Sequence, residues 1–231
     1  MRCLYEVLYV IHSKRAKSNV CVRQNIWHYG VMNKGKFIVF EGGDGAGKDT
    51  QIELLRAKVN PDEYVFVRDP GSTEIGEQLR TLVLFDKRIA KPAEMLMYLA
   101  IRAQMVVEKI QPALEAGKIV ISNRFDLSTI AYQVYGRERP QHLAFVQKIS
   151  AFANEDTRPD LVVYLDCPPD IGIARTMAAK KLDRFEEEKI AFHERVLAGY
   201  KKHITDYPHV IIDASRSIED VHADVLRALN V

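Results

Sequence analysis

The chain has 231 residues, more than one typical domain of roughly 150, so one large domain with an appendage is expected. Its 47% hydrophobic and 28% charged residues, with 12 Gly and 9 Pro scattered without period, exclude collagen-like, low-complexity and wholly disordered chains. Basic residues exceed acidic ones only by 33 to 31, which argues against nucleic acid as a partner; the three cysteines have neither disulfide-framework nor zinc spacing; and no apolar run is long enough to span a membrane.

Residues 1–31 stand apart. They hold Arg2, Lys14, Arg15, Lys17 and Arg23 against Glu6 alone, so residues 32–231 are slightly acidic. The apolar run at 3–11 contains Glu6 and lacks a clean small-residue cleavage site, a poor match to a secretory signal. A basic, acid-poor transit peptide matches better, and Met32 is an alternative start. We therefore divide the chain into an N-terminal extension, 1–31, and a domain, 32–231. The cysteine usage fits a reducing compartment, with the cytoplasm as the default.

From Lys36 onward, short runs rich in Val, Ile, Phe and Tyr alternate with helical periodicity, the pattern of an α/β fold. Strands are predicted at 36–40, 64–68, 118–122, 161–166 and 210–213, forming a five-stranded parallel sheet flanked by helices on both faces. Apolar spacing predicts helices at 48–58, 73–84, 93–115, 141–153, 171–179, 187–205 and 218–229, with Gly117 as a stop before the third strand.

The strongest local signal is FIVFEGGDGAGKDT at 37–50: a β-run, a glycine-rich turn, a lysine, then a helix. This resembles the P-loop of nucleoside triphosphate-binding proteins. Gly42, Gly43, Asp44, Gly45, Ala46 and Gly47 would wrap ATP phosphates with backbone N–H groups, an approach that side chains would block. Lys48 would bring a point charge, and the helix opening at Lys48, Asp49 and Thr50 its positive N-terminal dipole. A Ser or Thr hydroxyl that ligates Mg²⁺ is expected directly after the lysine, and Asp49 stands there instead. Its carboxylate either points away or binds the metal directly. A GTPase reading fails because Asn33-Lys34 is followed by Gly35 and Lys36. A motor ATPase would end an apolar strand in paired acids, whereas VVYLD at 162–166 runs into Cys167 and Pro168. What remains is a small P-loop kinase, which needs an acceptor site and a basic lid.

Five stretches, EGGDGAGKDTQ (41–51), VRDPGSTEIGEQLR (67–80), LMYLAIRAQ (96–104), SNRFDLSTIAYQ (122–133) and LDRFEEE (182–188), together resemble the thymidylate (dTMP) kinases over essentially all of 36–231. The resemblance implies the P-loop nucleoside monophosphate kinase fold and the reaction ATP + dTMP → ADP + dTDP with Mg²⁺. It implies that Asp44 accepts from the acceptor's 3′-hydroxyl and that Arg68 meets its phosphate. Tyr98 and Arg102, four apart on one helix face, would stack on the pyrimidine and donate to its O4, favouring thymine or uracil over cytosine. Arg124 would neutralise charge on the transferring group. Ser128, Thr129, Tyr132 and Gln133 match acceptor-site positions, with Tyr132 excluding a ribose hydroxyl. Relatives carry Asp where Asn123 stands, so Asp49 and Asn123 are the candidate metal-side residues. The basic stretch at 175–184 resembles the lid, with Arg175 and Arg184 as its catalytic cations; the arginine common five places before the Asp-Arg pair falls at Ala179, and Lys180 and Lys181 stand beside it. Family members pair as homodimers. The alternatives are a kinase for another or several deoxynucleoside monophosphates, and a catalytically weak nucleotide-binding module, the latter motivated by Asp49, Asn123 and Ala179.

Overall fold

A computed structural model describes residues 35–178 and 188–231. A compact unit spans Asn33–Val231. Its sheet contains β1 (Lys36–Glu41), β2 (Tyr64–Arg68), β3 (Ile119–Asn123), β4 (Leu161–Asp166) and β5 (His209–Asp213). They run parallel in the order β2-β3-β1-β4-β5. In register, Phe40 and Arg68 both lie beside Asn123, and Glu41 beside Tyr164, so the strands finish along one edge. The chain leaves β1 toward β2 on one side while β4 lies on the other. Open α/β sheets bind ligands at that reversal, beyond the carboxyl ends of the strands.

Around the sheet lie α1 (Lys48–Arg56), α2 (Glu74–Phe85), α3 (Lys91–Met105), α4 (Gln111–Glu115), α5 (Asp126–Thr129), α6 (Leu143–Ala153), α7 (Pro169–Ala178), α8 (Ile190–His203) and α9 (Ile218–Leu229). Period-two alternation decides which face each strand residue covers. Ile38 and Phe40 of β1, with Val163 and Leu165 of β4, pack with Ile52 and Leu55 of α1 and Val221 and Val225 of α9. On the opposite face Phe37 and Val39 meet Met105, Ile110 and Phe125, while Val162 and Tyr164 meet α2, α3 and α8 side chains. Helices therefore cover both faces, as the alternating pattern predicts.

The structure corrects several boundaries. The third strand is shifted by one residue, to Ile119–Asn123, and the fifth starts at His209. The helix expected at 93–115 is three pieces, α3, a wide π turn at Val106–Ile110, and α4. Pro112 explains the break: it has no N–H to donate and its ring crowds the carbonyl four residues back, so the Gln111 N–H reaches Val106 instead. Periodicity also passes over a helix formed by α5 and the π segment Ile130–Gly136. Nearly every residue of that stretch is buried, which leaves no polar face to set a period. The expected lid falls largely on 179–187; Ala179, Lys180, Lys181 and Arg184 lie outside the described residues, as does the extension 1–31.

Candidate active site

At the end of β1 the chain must turn sharply and enter α1. Gly45 at φ 72° and Gly47 at φ 86° take the left-handed conformations this needs. Gly45 is doubly constrained, because a Cβ there would come within 2.0 Å of the Gly172 carbonyl of α7. Lys48 is buried, and its Nζ donates to the carbonyls of Gly42 and Gly43 at 2.9 and 2.7 Å. Burial, helped by the Arg124 charge, draws its pKa down to about 7. The Asp49 and Thr50 side chains are exposed at the start of α1.

Where β3 ends, Arg124 turns into the left-handed region at φ 70°, a cost of about 1 kcal/mol or more for a residue with a Cβ. Glu41, at the end of β1, offsets it. This fully buried carboxylate accepts from the Phe125 N–H at 2.8 Å, the Ser128 N–H at 3.2 Å, the Ser128 hydroxyl at 2.6 Å and the Tyr200 hydroxyl at 3.0 Å. Burial raises its pKa. Thus clasped, Arg124 projects over the phosphate loop: Nη1 donates to the Gly42 carbonyl at 3.0 Å and the Tyr200 hydroxyl at 2.8 Å. Nη2 donates to Asp44 Oδ1 at 2.5 Å and the Tyr132 hydroxyl at 3.1 Å.

One cleft brings together Asp44, Gly45, Lys48, Asp49, Arg68, Tyr98, Arg102, Asn123, Arg124, Ser128, Thr129, Tyr132 and Gln133. These come from four motifs spread over 90 residues of sequence, and the sheet edge assembles them. Many are held by one another. Arg102 is 1% exposed; its Nε donates to Asp69 Oδ2 at 2.5 Å and its Nη2 to Thr129 Oγ1 at 2.5 Å, while Nη1 lacks a partner among the described residues. A buried guanidinium N–H without an acceptor, in a cleft wall, is a donor for a ligand carbonyl. Gln133 donates to Glu94 at 2.9 Å, and Arg68 pairs with Glu77 at 2.8 Å. Asn123 Nδ2 donates to Asp49 Oδ1 at 2.7 Å, while Asn123 Oδ1 is buried without a partner among the described residues.

Arg175 lies outside this cleft, on α7. Its Nη1 donates to the Ala214 carbonyl at 2.8 Å, which ties α7 to the loop after β5. Sequence reasoning passed over Glu41, Arg80 and Tyr200. Arg80 lines the cleft and donates to the Pro70 carbonyl at 2.5 Å. Glu41 carried a legible signal, an acid closing a strand of apolar residues. Tyr200 carried none, since its partner Glu41 is 159 positions away.

Residues 40–225 match the family model described as thymidylate kinase. The protein named thymidylate kinase of Latilactobacillus sakei is 41% identical over 204 residues, covering 84% of this chain and 94% of its own. That of Lactobacillus acidophilus is 39% identical over 205 residues, 85% of this chain and 94% of its own. That of Caldanaerobacter subterraneus subsp. tengcongensis is 39% identical over 201 residues, 85% and 95%.

Proposed function

The chain belongs to the thymidylate kinase family, and we propose that it is a dTMP kinase, transferring the γ-phosphoryl group of ATP to dTMP with release of ADP and dTDP, a step toward dTTP. The observation that carries the reading is Arg124, whose guanidinium joins the phosphate loop at Gly42 to the acceptor side at Asp44 and Tyr132. Phosphoryl transfer needs little covalent chemistry from the protein, so positioning and electrostatics account for the rate. The loop N–H groups and Lys48 hold the ATP phosphates, and Arg124 neutralises charge on the transferring group and the acceptor phosphate. Arg68 binds that phosphate; Tyr98 stacks on the base; Arg102 Nη1 donates to thymine O4, where cytosine would offer an amino group. Asp44 takes the 3′-hydroxyl, and Tyr132, beside Ser128, Thr129 and Gln133, closes the sugar side. Arg175 and Arg184 serve the nucleotide from the lid side.

Magnesium fits Asp49 and Asn123. The unpartnered Asn123 Oδ1 and the carboxylate that Asn123 orients are hard oxygen donors on the loop side of the cleft. When bound, Mg²⁺ neutralises phosphate charge. Residues 32–231 are the kinase domain and 1–31 an extension outside the chemistry. The chain acts as a cytoplasmic homodimer; among the described residues no helix is long and apolar enough to cross a membrane. Phe85 of α2, Leu96 of α3 and Phe152 of α6 stand exposed, and α3 packs against both neighbours, which supports pairing through these helices.

A coupled ADP-release assay with the full chain, Mg-ATP and a panel of dTMP, dUMP, dCMP, dGMP, dAMP and UMP tests the reading. Turnover should favour dTMP and disappear in Lys48→Ala and Arg124→Ala. Binding of ATP and dTMP with no turnover would overturn it.

A further inference from the structure

His193, in the first turn of α8, is 7% exposed, and its Nε2 has no partner among the described residues. Its Nδ1 stands 3.8 Å from Asp44 Oδ2, too far for a hydrogen bond. Asp44 Oδ2 is also buried and has no hydrogen-bond partner among the described residues, while Arg124 Nη2 donates to the other oxygen, Oδ1. A buried carboxylate oxygen without a donor is rare in folded interiors, and the group that faces this one across 3.8 Å is the His193 Nδ1. One oxygen about 2.8 Å from each would bridge Asp44 Oδ2 and His193 Nδ1. The neighbouring carboxylate favours the tautomer with the proton on Nδ1, so the imidazole donates while Asp44 accepts. The bridging group must therefore donate to one side and accept from the other, the property of a hydroxyl. Phe192 sets the imidazole plane, with ring centroids 5.5 Å apart at 89°, and meets Tyr132 of the cleft wall at 6.1 Å.

We infer that Asp44 and His193 form a two-point seat for a sugar hydroxyl of the acceptor nucleotide, which makes His193 a specificity-determining residue. Under the dTMP kinase reading, on which this rests, the group is the 3′-hydroxyl. Asp44 accepts its proton and His193 Nδ1 donates to its oxygen, so a nucleotide lacking that hydroxyl leaves both groups unpaired.

The test compares dTMP with 3′-deoxy-dTMP by calorimetric titration of the full chain as wild type, His193→Phe and His193→Asn, with thermal melts to verify folding. Binding by wild type should weaken about 100-fold when the hydroxyl is absent. In His193→Phe that penalty should shrink to about tenfold, the share belonging to Asp44. His193→Asn, whose Nδ2 can stand near the imidazole Nδ1, should restore most of the difference. Should His193→Phe not fold, His193→Leu carries the same comparison. Equal penalties in wild type and His193→Phe, or an Asn variant no better than Phe, overturn the seat. Equal affinity of wild type for both nucleotides also overturns it, leaving a site that only water fills. Wild type that binds dTMP with the expected hydroxyl penalty yet never turns it over refutes the kinase reading and leaves the seat standing.

Discussion

Replacing Glu41 separates the two ways in which a buried carboxylate could hold Arg124. In Glu41→Ala all four hydrogen bonds to the carboxylate are lost. Two of the donors are hydroxyls, which rotate to other partners. The other two are the backbone N–H groups of Phe125 and Ser128, which cannot. Each buried donor left unsatisfied costs about 1–3 kcal/mol, so Glu41→Ala should destabilise the fold by about 2–6 kcal/mol. In Glu41→Gln the amide oxygen still accepts from the two N–H groups, while the new NH₂ faces Ser128 and Tyr200, whose oxygens can turn to accept from it. About 1–2 kcal/mol is then the expected loss. Urea denaturation gives both values. The turn that Glu41 clasps carries Arg124, so kcat should fall on the order of 100-fold in Glu41→Ala, the scale of a 1 Å misplacement, and clearly less in Glu41→Gln. If Glu41→Gln proved as damaging as Glu41→Ala in both assays, the negative charge opposite Arg124 would be what holds the site, and the argument from the backbone clasp would be wrong.

Three other outcomes follow from the same geometry. Lys48 is drawn down to about 7 by burial, below its unfolded value, so its unfolded form binds more protons and this group's contribution to stability rises with pH between the two values. Phosphates beside the ammonium reverse the shift, so ATP binding at pH 8 should take up close to one proton, seen as a dependence of calorimetric enthalpy on buffer ionisation; Lys48→Arg should remove most of it, and no buffer dependence in wild type would refute the assignment. Gly172→Ala puts a Cβ 2.3 Å from the Asp44 carbonyl, which must shift the phosphate loop; KM for ATP and for the acceptor should rise together by about tenfold, and unchanged KM values would show that α7 gives way instead. Asp69→Ala strands the buried Arg102 charge and should cost about 3–5 kcal/mol by denaturation, whereas Asp69→Asn keeps an acceptor for Nε and should cost less; equal losses would show that the charge alone matters.

How much of this could be read in the sequence depended on how local each cause was. The phosphate loop is legible because its constraint is local: Gly45 and Gly47 supply conformations that few other residues adopt, and Lys48 follows at fixed spacing. The inner strands β1, β3 and β4 are legible because burial on both faces leaves nearly continuous apolar runs. The same logic hides the helix at 126–136, since a segment buried all round shows no helical period, and that helix holds Ser128, Thr129, Tyr132 and Gln133. Side-chain roles fade with sequence distance. Tyr98 and Arg102 share a face at i, i+4 and can be paired by inspection. The partner that buries Arg102, Asp69, comes from another motif, and nothing in either stretch specifies the 2.5 Å contact.

The departures from the family pattern become connected only in three dimensions. Along the chain, Asp49 after the loop lysine and Asn123 before Arg124 are two unrelated oddities, each suggesting a weakened site. In the fold the register of β1 and β3 sets Asn123 beside Phe40, close to the start of α1, and the two side chains hydrogen-bond at 2.7 Å. Against the pattern that the resemblance implies, position 123 carries an amide and position 49 a carboxylate, so the hydrogen-bonded pair carries a single negative charge. The contact joins the two changes into one exchange, and it favours an active kinase over a nucleotide-binding module.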